Sequence, residues 1–237
     1  GADAAWGECS GPVMPNALPQ RSKIDEQPIE RIAPLLEKGV SSMMLLEHHA
    51  TDRAALAAAS KIASKTGCRL MTGTFPGSVD GGPGAVAVER LPYFPEQVLQ
   101  TLKGVEHLII VGGQVPASFF AYKGVPGQLV PEGCKVSRLT YIEEDSIDAL
   151  QRLTERLGAQ NEVIKNFEKV EIGKPSGELD TKSIIQSVAA TMPENLIVAT
   201  DSGGGNAAYP YCQNSAPNTW LSLTGGAIGQ GGPCATG

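Results

Sequence analysis

Short apolar runs alternate along this chain with longer stretches in which apolar residues recur at helical spacing. Residues 41–46 and His107–Val111 are uninterrupted apolar runs, and such runs are typical of parallel strands buried on both faces. Residues 68–72, 136–142 and 195–201 are further strand candidates. The pattern therefore predicts several short, buried strands.

Helices are predicted between these strands from their capping residues. A helix over residues 29–37 is closed by Gly39, and an alanine-rich helix over 53–66 begins after Thr51 or Asp52 and ends at Gly67. Further helices are predicted from Pro95 to about residue 104, after the acidic run 143–145 as far as Leu157, and over residues 180–192.

Strands that alternate with helices predict an α/β fold, a doubly wound and mostly parallel sheet with helices on both faces. The division along the chain is a proline-rich extended connector over residues 1–28, a central α/β domain over 29–158, a polar linker over 159–179, and an incomplete second α/β domain over 180–237. Residues 75–92, rich in glycine and proline, are predicted to form a loop.

The composition argues against several classes of function. The net charge of −6 and the pI of about 5.2 come with no basic patch, so nucleic acid is not an expected partner. The five cysteines form no CxxC pair, which argues against a zinc site and favours a reducing compartment. No apolar run approaches the roughly 20 residues that a membrane span needs. The cytoplasm is expected, or a plastid or mitochondrial interior if a transit peptide was removed.

Two glycine-rich segments follow apolar strands near the end of the chain, at residues 202–206 and 224–231. Backbone N–H groups in such segments can face an anion, as phosphate sites require. The second segment has the TGGxxGxG pattern of short-chain dehydrogenases. Context argues against a dehydrogenase, because only residues 232–237 follow the segment and the chain contains no Tyr-x-x-x-Lys pair.

Longer motifs resemble thiamine-diphosphate-dependent enzymes of the acetolactate synthase and benzoylformate decarboxylase group, and more closely the acetolactate synthase-like large subunits. Residues 223–237 match that group's LTGGAIGQGLPxATG segment with few changes. Similar matches lie at residues 88–96, 119–127 and 129–134 in the central domain, and residues 2–8 resemble the exit from the group's pyrimidine-binding domain.

The resemblance implies thiamine diphosphate and Mg²⁺ as cofactors, and a 2-oxo acid as substrate, for a complete enzyme. It also implies that this chain covers the connector, the central domain and the start of the diphosphate-binding domain. The group's magnesium motif and its catalytic glutamate would then lie outside residues 1–237. We therefore expect no catalytic or metal-binding residue here, and weak cofactor binding or none by the chain alone. Gly232 replaces the group's leucine, and Cys234 is also unusual.

By the same resemblance, two groups of residues would contact the cofactor. The diphosphate side would be formed by Ser202, Gly203, Gly204, Gly205 and Asn206, and the pyrimidine side by Gly225, Gly226, Ala227 and Ile228. The alternative is that these glycines only form tight turns. In this group the central domain binds an adenine dinucleotide in some members and nothing in others. Gly112 and Gly113 alone are too little to predict a flavin site.

A second hypothesis is a catalytically inactive, truncated homologue that acts as a scaffold or interaction subunit. Its incomplete second domain would leave apolar strands uncovered, which predicts a homo-oligomer or a partner protein over residues 180–237. A third hypothesis is a fragment of a longer protein.

The remaining candidates are expected to be structural. His48 and His49 lack a cluster of metal ligands at fitting spacing, and His107 opens a strand. The carboxylates of residues 143–145 precede a helix, where negative charge is favourable. The cysteines have no partner histidine at a recognisable spacing, which argues against nucleophilic catalysis.

Overall fold

The computed structural model describes residues 6–14, 16–120, 123–201, 203–224 and 228–237, with the backbone alone for residues 203–207. Its α-helices are α1 (Gln27–Glu37), α2 (Arg53–Thr66), α3 (Pro95–Leu102), α4 (Ser146–Arg156), α5 (Thr181–Thr191), α6 (Gly203–Cys212) and α7 (Gly231–Thr236). Its strands are β1 (Ser42–Leu46), β2 (Arg69–Thr72), β3 (Ser78–Gly81), β4 (Glu89–Arg90), β5 (His107–Val111), β6 (Lys135–Thr140), β7 (Leu196–Ala199) and β8 (Asn218–Leu221).

The first sheet is a five-stranded parallel sheet with the order β4-β2-β1-β5-β6. The chain runs outward from β1 to β2 and β4, returns to β5 beside β1, and then continues the other way to β6. This reversal makes the carboxyl ends of β1 and β5 a topological switch point, where α/β sheets open a crevice. The predicted fold class, a doubly wound and mostly parallel α/β sheet, is confirmed.

Alternate residues of β1 enter two different cores, which explains its unbroken apolar run. Met44 and Leu46 pack in the core that contains apolar residues of α1, α2 and α4. Met43 and Leu45 pack on the opposite face, with Val98 and other residues of α3. A strand covered on both faces needs apolar side chains at every position, and all five residues of β1 are buried.

The second sheet has three strands in the order β3-β8-β7. β7 and β8 are parallel, whereas β3 runs antiparallel to β8 with Val79 opposite Trp220. The prediction of a loop over residues 75–92 is wrong at β3 and β4. Both strands are short and depend on their strand partners, β8 and β2, which are not visible in the local sequence.

Residues 159–179, predicted as a linker, form no helix or strand but are docked along the molecule. Lys165 accepts a backbone hydrogen bond from Ala87, and Phe167 donates one to Ala85. Val170 donates to Asn214 beyond α6. The predicted domain boundaries stay a prediction, and β3 lies inside the range 29–158 although it pairs in the second sheet. Within the described ranges, no helix is both long enough and apolar enough to cross a membrane.

Candidate functional site

The parallel pairing of β7 with β8 brings the two glycine-rich segments to one edge of the second sheet. Ala199 lies opposite Leu221 in the register, and the Thr200 N–H continues the pairing by donating to Leu221 O at 2.9 Å. Both segments therefore leave the same sheet edge, one from each strand. The first segment follows Asp201 and the second follows Thr224.

Of the predicted site residues, Gly203, Gly204, Gly205 and Asn206 form the first turn of α6. Ile228 is 82% exposed. Ser202, Gly225, Gly226 and Ala227 lie outside the described residues.

Two polar side chains that sequence reasoning missed shape the second segment. The carboxylate of Asp201 accepts a hydrogen bond from Gly229 N–H at 2.7 Å. The Thr224 hydroxyl donates to Gln230 Oε1 at 2.7 Å, and Thr224 N–H donates to the same oxygen at 3.3 Å. An aspartate directly after an apolar strand was the available signal, but its partner lies 28 residues away in the chain.

Gly231, at the start of α7, packs directly on the end of β7. A Cβ atom at this position would lie 2.8 Å from Asp201 Cβ and 3.2 Å from the carbonyl carbon of Thr200. The next residue, Gly232, has no heavy atom within 4 Å of the position that its Cβ would take. Close approach of the turn to β7 therefore requires glycine at 231, whereas 232 has room for a side chain.

Tyr209 of α6 anchors that helix beneath the site. Its ring packs edge to face on Trp220 of β8, with 5.8 Å between centroids. Its hydroxyl donates to Asp80 O in β3 at 3.0 Å. The guanidinium carbon of Arg90, from β4 in the first sheet, lies 4.3 Å from the centre of the ring. Burial raises the pKa of Tyr209 to about 12, so the hydroxyl stays protonated and keeps its donor role.

The remaining candidates from the sequence make local contacts. His49 Nδ1 lies 2.8 Å from Asp52 Oδ2, and His49 Nε2 lies 3.6 Å from Asp145 Oδ1. The Asp145 carboxylate also accepts hydrogen bonds from the N–H groups of Ile147 and Asp148 at the start of α4. Among the residues that the structure describes, no group of three or more His, Cys, Asp or Glu side chains could hold a metal ion. Burial raises the pKa of the Cys68 and Cys212 thiols to about 11, so neither is a thiolate nucleophile.

The sheet edge fits the diphosphate part of the implied cofactor better than it fits the metal. The ten-residue helix α6 follows β7 after residues 200–202, and the backbone N–H groups of its first turn have no partner within the helix. The nearby Asp201 carboxylate is bonded to Gly229, and the described residues supply no metal-binding cluster. The described residues thus do not fit Mg²⁺.

Comparison with known proteins gives one relative along the whole chain. The chain is 37% identical over 237 residues to a candidate acetolactate synthase large subunit of Mycobacterium tuberculosis, IlvX, with 100% of this chain and 45% of that protein covered. No family model matches. The resemblance to thiamine-diphosphate-dependent, acetolactate synthase-like proteins is therefore confirmed. The chain spans about half the length of the curated relative that it matches.

Solved structures share the fold at lower identity. A candidate thiamin diphosphate-dependent enzyme from Mycobacterium smegmatis matches 95% of this chain and 47% of its own, with a TM-score of 0.63 and 20% identity. The 4-hydroxybenzoylformate decarboxylase of Rhodococcus jostii RHA1 matches 87% and 42%, with a TM-score of 0.57 and 16% identity. Benzoylformate decarboxylase from Polynucleobacter necessarius matches 98% and 46%, with a TM-score of 0.55 and 14% identity.

Proposed function

We propose that this chain forms part of a thiamine-diphosphate-dependent enzyme that acts on a 2-oxo acid. In this proposal the edge of the second sheet contributes the diphosphate side of the cofactor site. When bound, the cofactor supplies a nucleophilic carbon and stabilises the carbanion left by decarboxylation. In this proposal, residues 1–237 bind and orient the cofactor. The groups that bind the metal and transfer protons come from elsewhere in the complete protein.

The observation that carries this proposal is the parallel pairing of β7 with β8. It brings the first turn of α6 and the segment that follows Thr224 to one edge. The first turn of α6 offers backbone N–H groups to the diphosphate, with Gly203–Asn206 nearest to it. Asp201 holds the second segment through Gly229. The predicted contacts of Ser202 and of residues 225–228 remain part of the proposal.

Calorimetric titration of the purified chain with thiamine diphosphate and Mg²⁺ tests the proposal. We expect weak but saturable binding, because the chain supplies only the diphosphate side of the site. Absence of saturable binding at millimolar cofactor would contradict it. Release of carbon dioxide from aliphatic and aromatic 2-oxo acids, assayed on the longest available polypeptide that contains this sequence, would then identify the substrate class.

Adjacent glycines of α7 supply a matched pair of variants. Gly231→Ala places a methyl group against Asp201 and Thr200, so the turn must move away from β7. Gly232→Ala places the same group in open space. We expect Gly231→Ala to weaken cofactor binding about tenfold, while Gly232→Ala leaves it unchanged. Equal effects of the two substitutions on the calorimetric affinity would argue against a site at this edge.

Exposed apolar side chains favour a partner over residues 180–237, either a second copy or another protein. Ile184 and Val188 of α5 are 47% and 43% exposed, and Ile197 of the edge strand β7 is 65% exposed. Uncovered apolar residues beside a free strand edge are typical of an interface. Light scattering coupled to gel filtration should show a mass above that of one chain, and Ile197→Asp should lower that mass.

The scaffold hypothesis shares this interface but requires that the cofactor does not bind.

A further inference from the structure

The carboxyl ends of β1 and β5 form the switch-point crevice of the first sheet. Crevices at this position are where open α/β sheets bind their ligands. Here the lining comes from residues that directly follow three neighbouring strands: Glu47 after β1, Gly73 after β2, and Gly112 and Gly113 after β5. The resemblance implies an adenine dinucleotide in the central domain of some members, so the fit of these residues can be tested.

The side chain of Glu47 fills this crevice. Its backbone N–H donates to Val111 O at 3.0 Å, which continues the pairing of β1 with β5. Its carboxylate lies between Gly73 and Gly113, and a Cβ atom built on either glycine would collide with a carboxylate oxygen. Oε2 also accepts a hydrogen bond from Gln114 N–H at 3.0 Å. Glu47 thus occupies the N–H group of Gln114, which a phosphate oxygen would need as its hydrogen-bond donor.

The position of Glu47 explains why glycine is needed at the surrounding strand ends. Gly112 has a φ of +71°, and a Cβ atom there would lie 2.7 Å from Glu47 O. Gly73 and Gly113 leave room for the carboxylate in the same way. Glycines at strand ends usually let a backbone approach a phosphate. In this chain they let the backbone approach a glutamate.

A cationic side chain, that of Arg138, is also engaged by this loop. The Arg138 guanidinium donates from Nη1 to Gly113 O and from Nη2 to Gln114 Oε1, the latter at 3.4 Å. It also lies over the Tyr141 ring, 4.6 Å from its centre. Glu47 and Arg138 therefore both hold residues 113–114, Glu47 through an N–H group and Arg138 through a carbonyl.

We infer that Glu47 closes the switch-point crevice, so that the first sheet of this chain excludes adenine dinucleotides. The exclusion has two physical parts. The carboxylate occupies the volume between Gly73 and Gly113, and its negative charge repels a pyrophosphate. The inference concerns the first sheet only and does not depend on thiamine diphosphate binding at the second sheet.

Titration with ADP, followed by calorimetry, and with FAD, followed by flavin fluorescence, tests this inference. The natural chain and the exposed-site control Glu132→Ala should bind neither ligand at millimolar concentration. Glu47→Ala removes both volume and charge and should gain affinity for ADP by about tenfold or more. Glu47→Gln keeps the volume and the acceptor for Gln114 but loses the charge, so it should gain less.

Two outcomes would overturn the inference. One is micromolar binding of ADP or FAD by the natural chain. The other is a folded variant that gains no affinity, with folding checked by circular dichroism and melting temperature. If Glu47→Ala does not fold, Glu47→Ser, which also removes the charge and most of the volume, takes its place: a gain in ADP affinity supports the inference, and no gain rejects it.

Discussion

Two titratable side chains lie at opposite ends of the first sheet, and only one of them has a hydrogen-bond partner among the described residues. Glu47, at the carboxyl end of β1, accepts the Gln114 N–H. His107, at the start of β5, is 1% exposed, and its ring nitrogens find no hydrogen-bond partner among those residues. Burial, with a smaller contribution from the charge of Lys135, lowers the pKa of His107 to about 4.

The lowered pKa makes His107 a source of acid sensitivity. Its unfolded-state pKa is about 6.5, so between pH 6.5 and 4 the unfolded chain binds a proton that the folded chain does not. The free energy of unfolding should therefore fall through this range, by up to about 3 kcal/mol from this group. Urea denaturation at pH 7 and pH 4.5 measures the loss.

Histidine variants separate this effect from that of the carboxylates. His107→Leu should lose less stability than the natural chain between pH 7 and pH 4.5, because the titrating group is gone. The exposed His48→Asn is the matched control and should leave the loss unchanged. Equal losses in both variants would show that His107 does not titrate in this range.

At the scale of elements, the helix caps were predictable in part, because they depend on local backbone chemistry. Asp52 lies at the start of α2 as predicted, but its side chain makes no capping hydrogen bond. The acidic run 143–145 was interpreted as a helix start, and Asp145 caps α4 by accepting the N–H groups of Ile147 and Asp148, both at 3.0 Å. Gly67 ends α2 with a φ of +75°. Each cap satisfies backbone groups a few residues away, so its signal lies within a short window of sequence.

Removal of the α4 cap should destabilise the protein measurably. Asp145→Ala loses the acceptor for two N–H groups and should lower the free energy of unfolding by about 1 kcal/mol. Asp145→Asn keeps a side-chain oxygen and should recover most of that loss. The midpoint of urea denaturation, followed by circular dichroism, reports both. Identical midpoints for the alanine and asparagine variants would contradict the capping role.

Whole-molecule cohesion depends on contacts between the two sheets, and Tyr209 is central to them. It reaches Arg90 in the first sheet and both Asp80 and Trp220 in the second. Asp80 in turn accepts from Thr219 Oγ1 and from Arg53 Nε, each at 2.6 Å. Contacts between segments this far apart in sequence form only when the whole chain is folded.

Replacement of Tyr209 by alanine should allow the two sheets to unfold separately. Tyr209→Ala removes a buried ring and should lower the free energy of unfolding by about 3 kcal/mol or more. Trp220 fluorescence should then change at lower urea than far-ultraviolet circular dichroism. Tyr211→Ala, a half-exposed tyrosine of the same helix, is the control and should keep both transitions together. A single unchanged transition in Tyr209→Ala would show that other contacts couple the sheets.

The cofactor contacts of the candidate site stay a prediction, because they come from the resemblance alone. Residues 202–206 and 224–231 were visible in the sequence as glycine-rich segments that follow apolar strands, and the pairing of β7 with β8 places those two strands side by side. The hydrogen bond from Gly229 to Asp201 and the contact of Gly231 with β7 could not be predicted. They depend on the separation of two segments in space, which no short-range pattern encodes.

The sequence by itself determined the parallel α/β character of the first sheet, the strands β1 and β5, and the helix ends at Asp145 and Gly67, because burial on both faces and local capping leave marks at each position. Only the tertiary structure decided that β3 joins the second sheet, that residues 159–179 are docked, and that Glu47 fills the switch-point crevice. Each of these depends on partners distant in sequence, and such partners become neighbours only when the strands have paired.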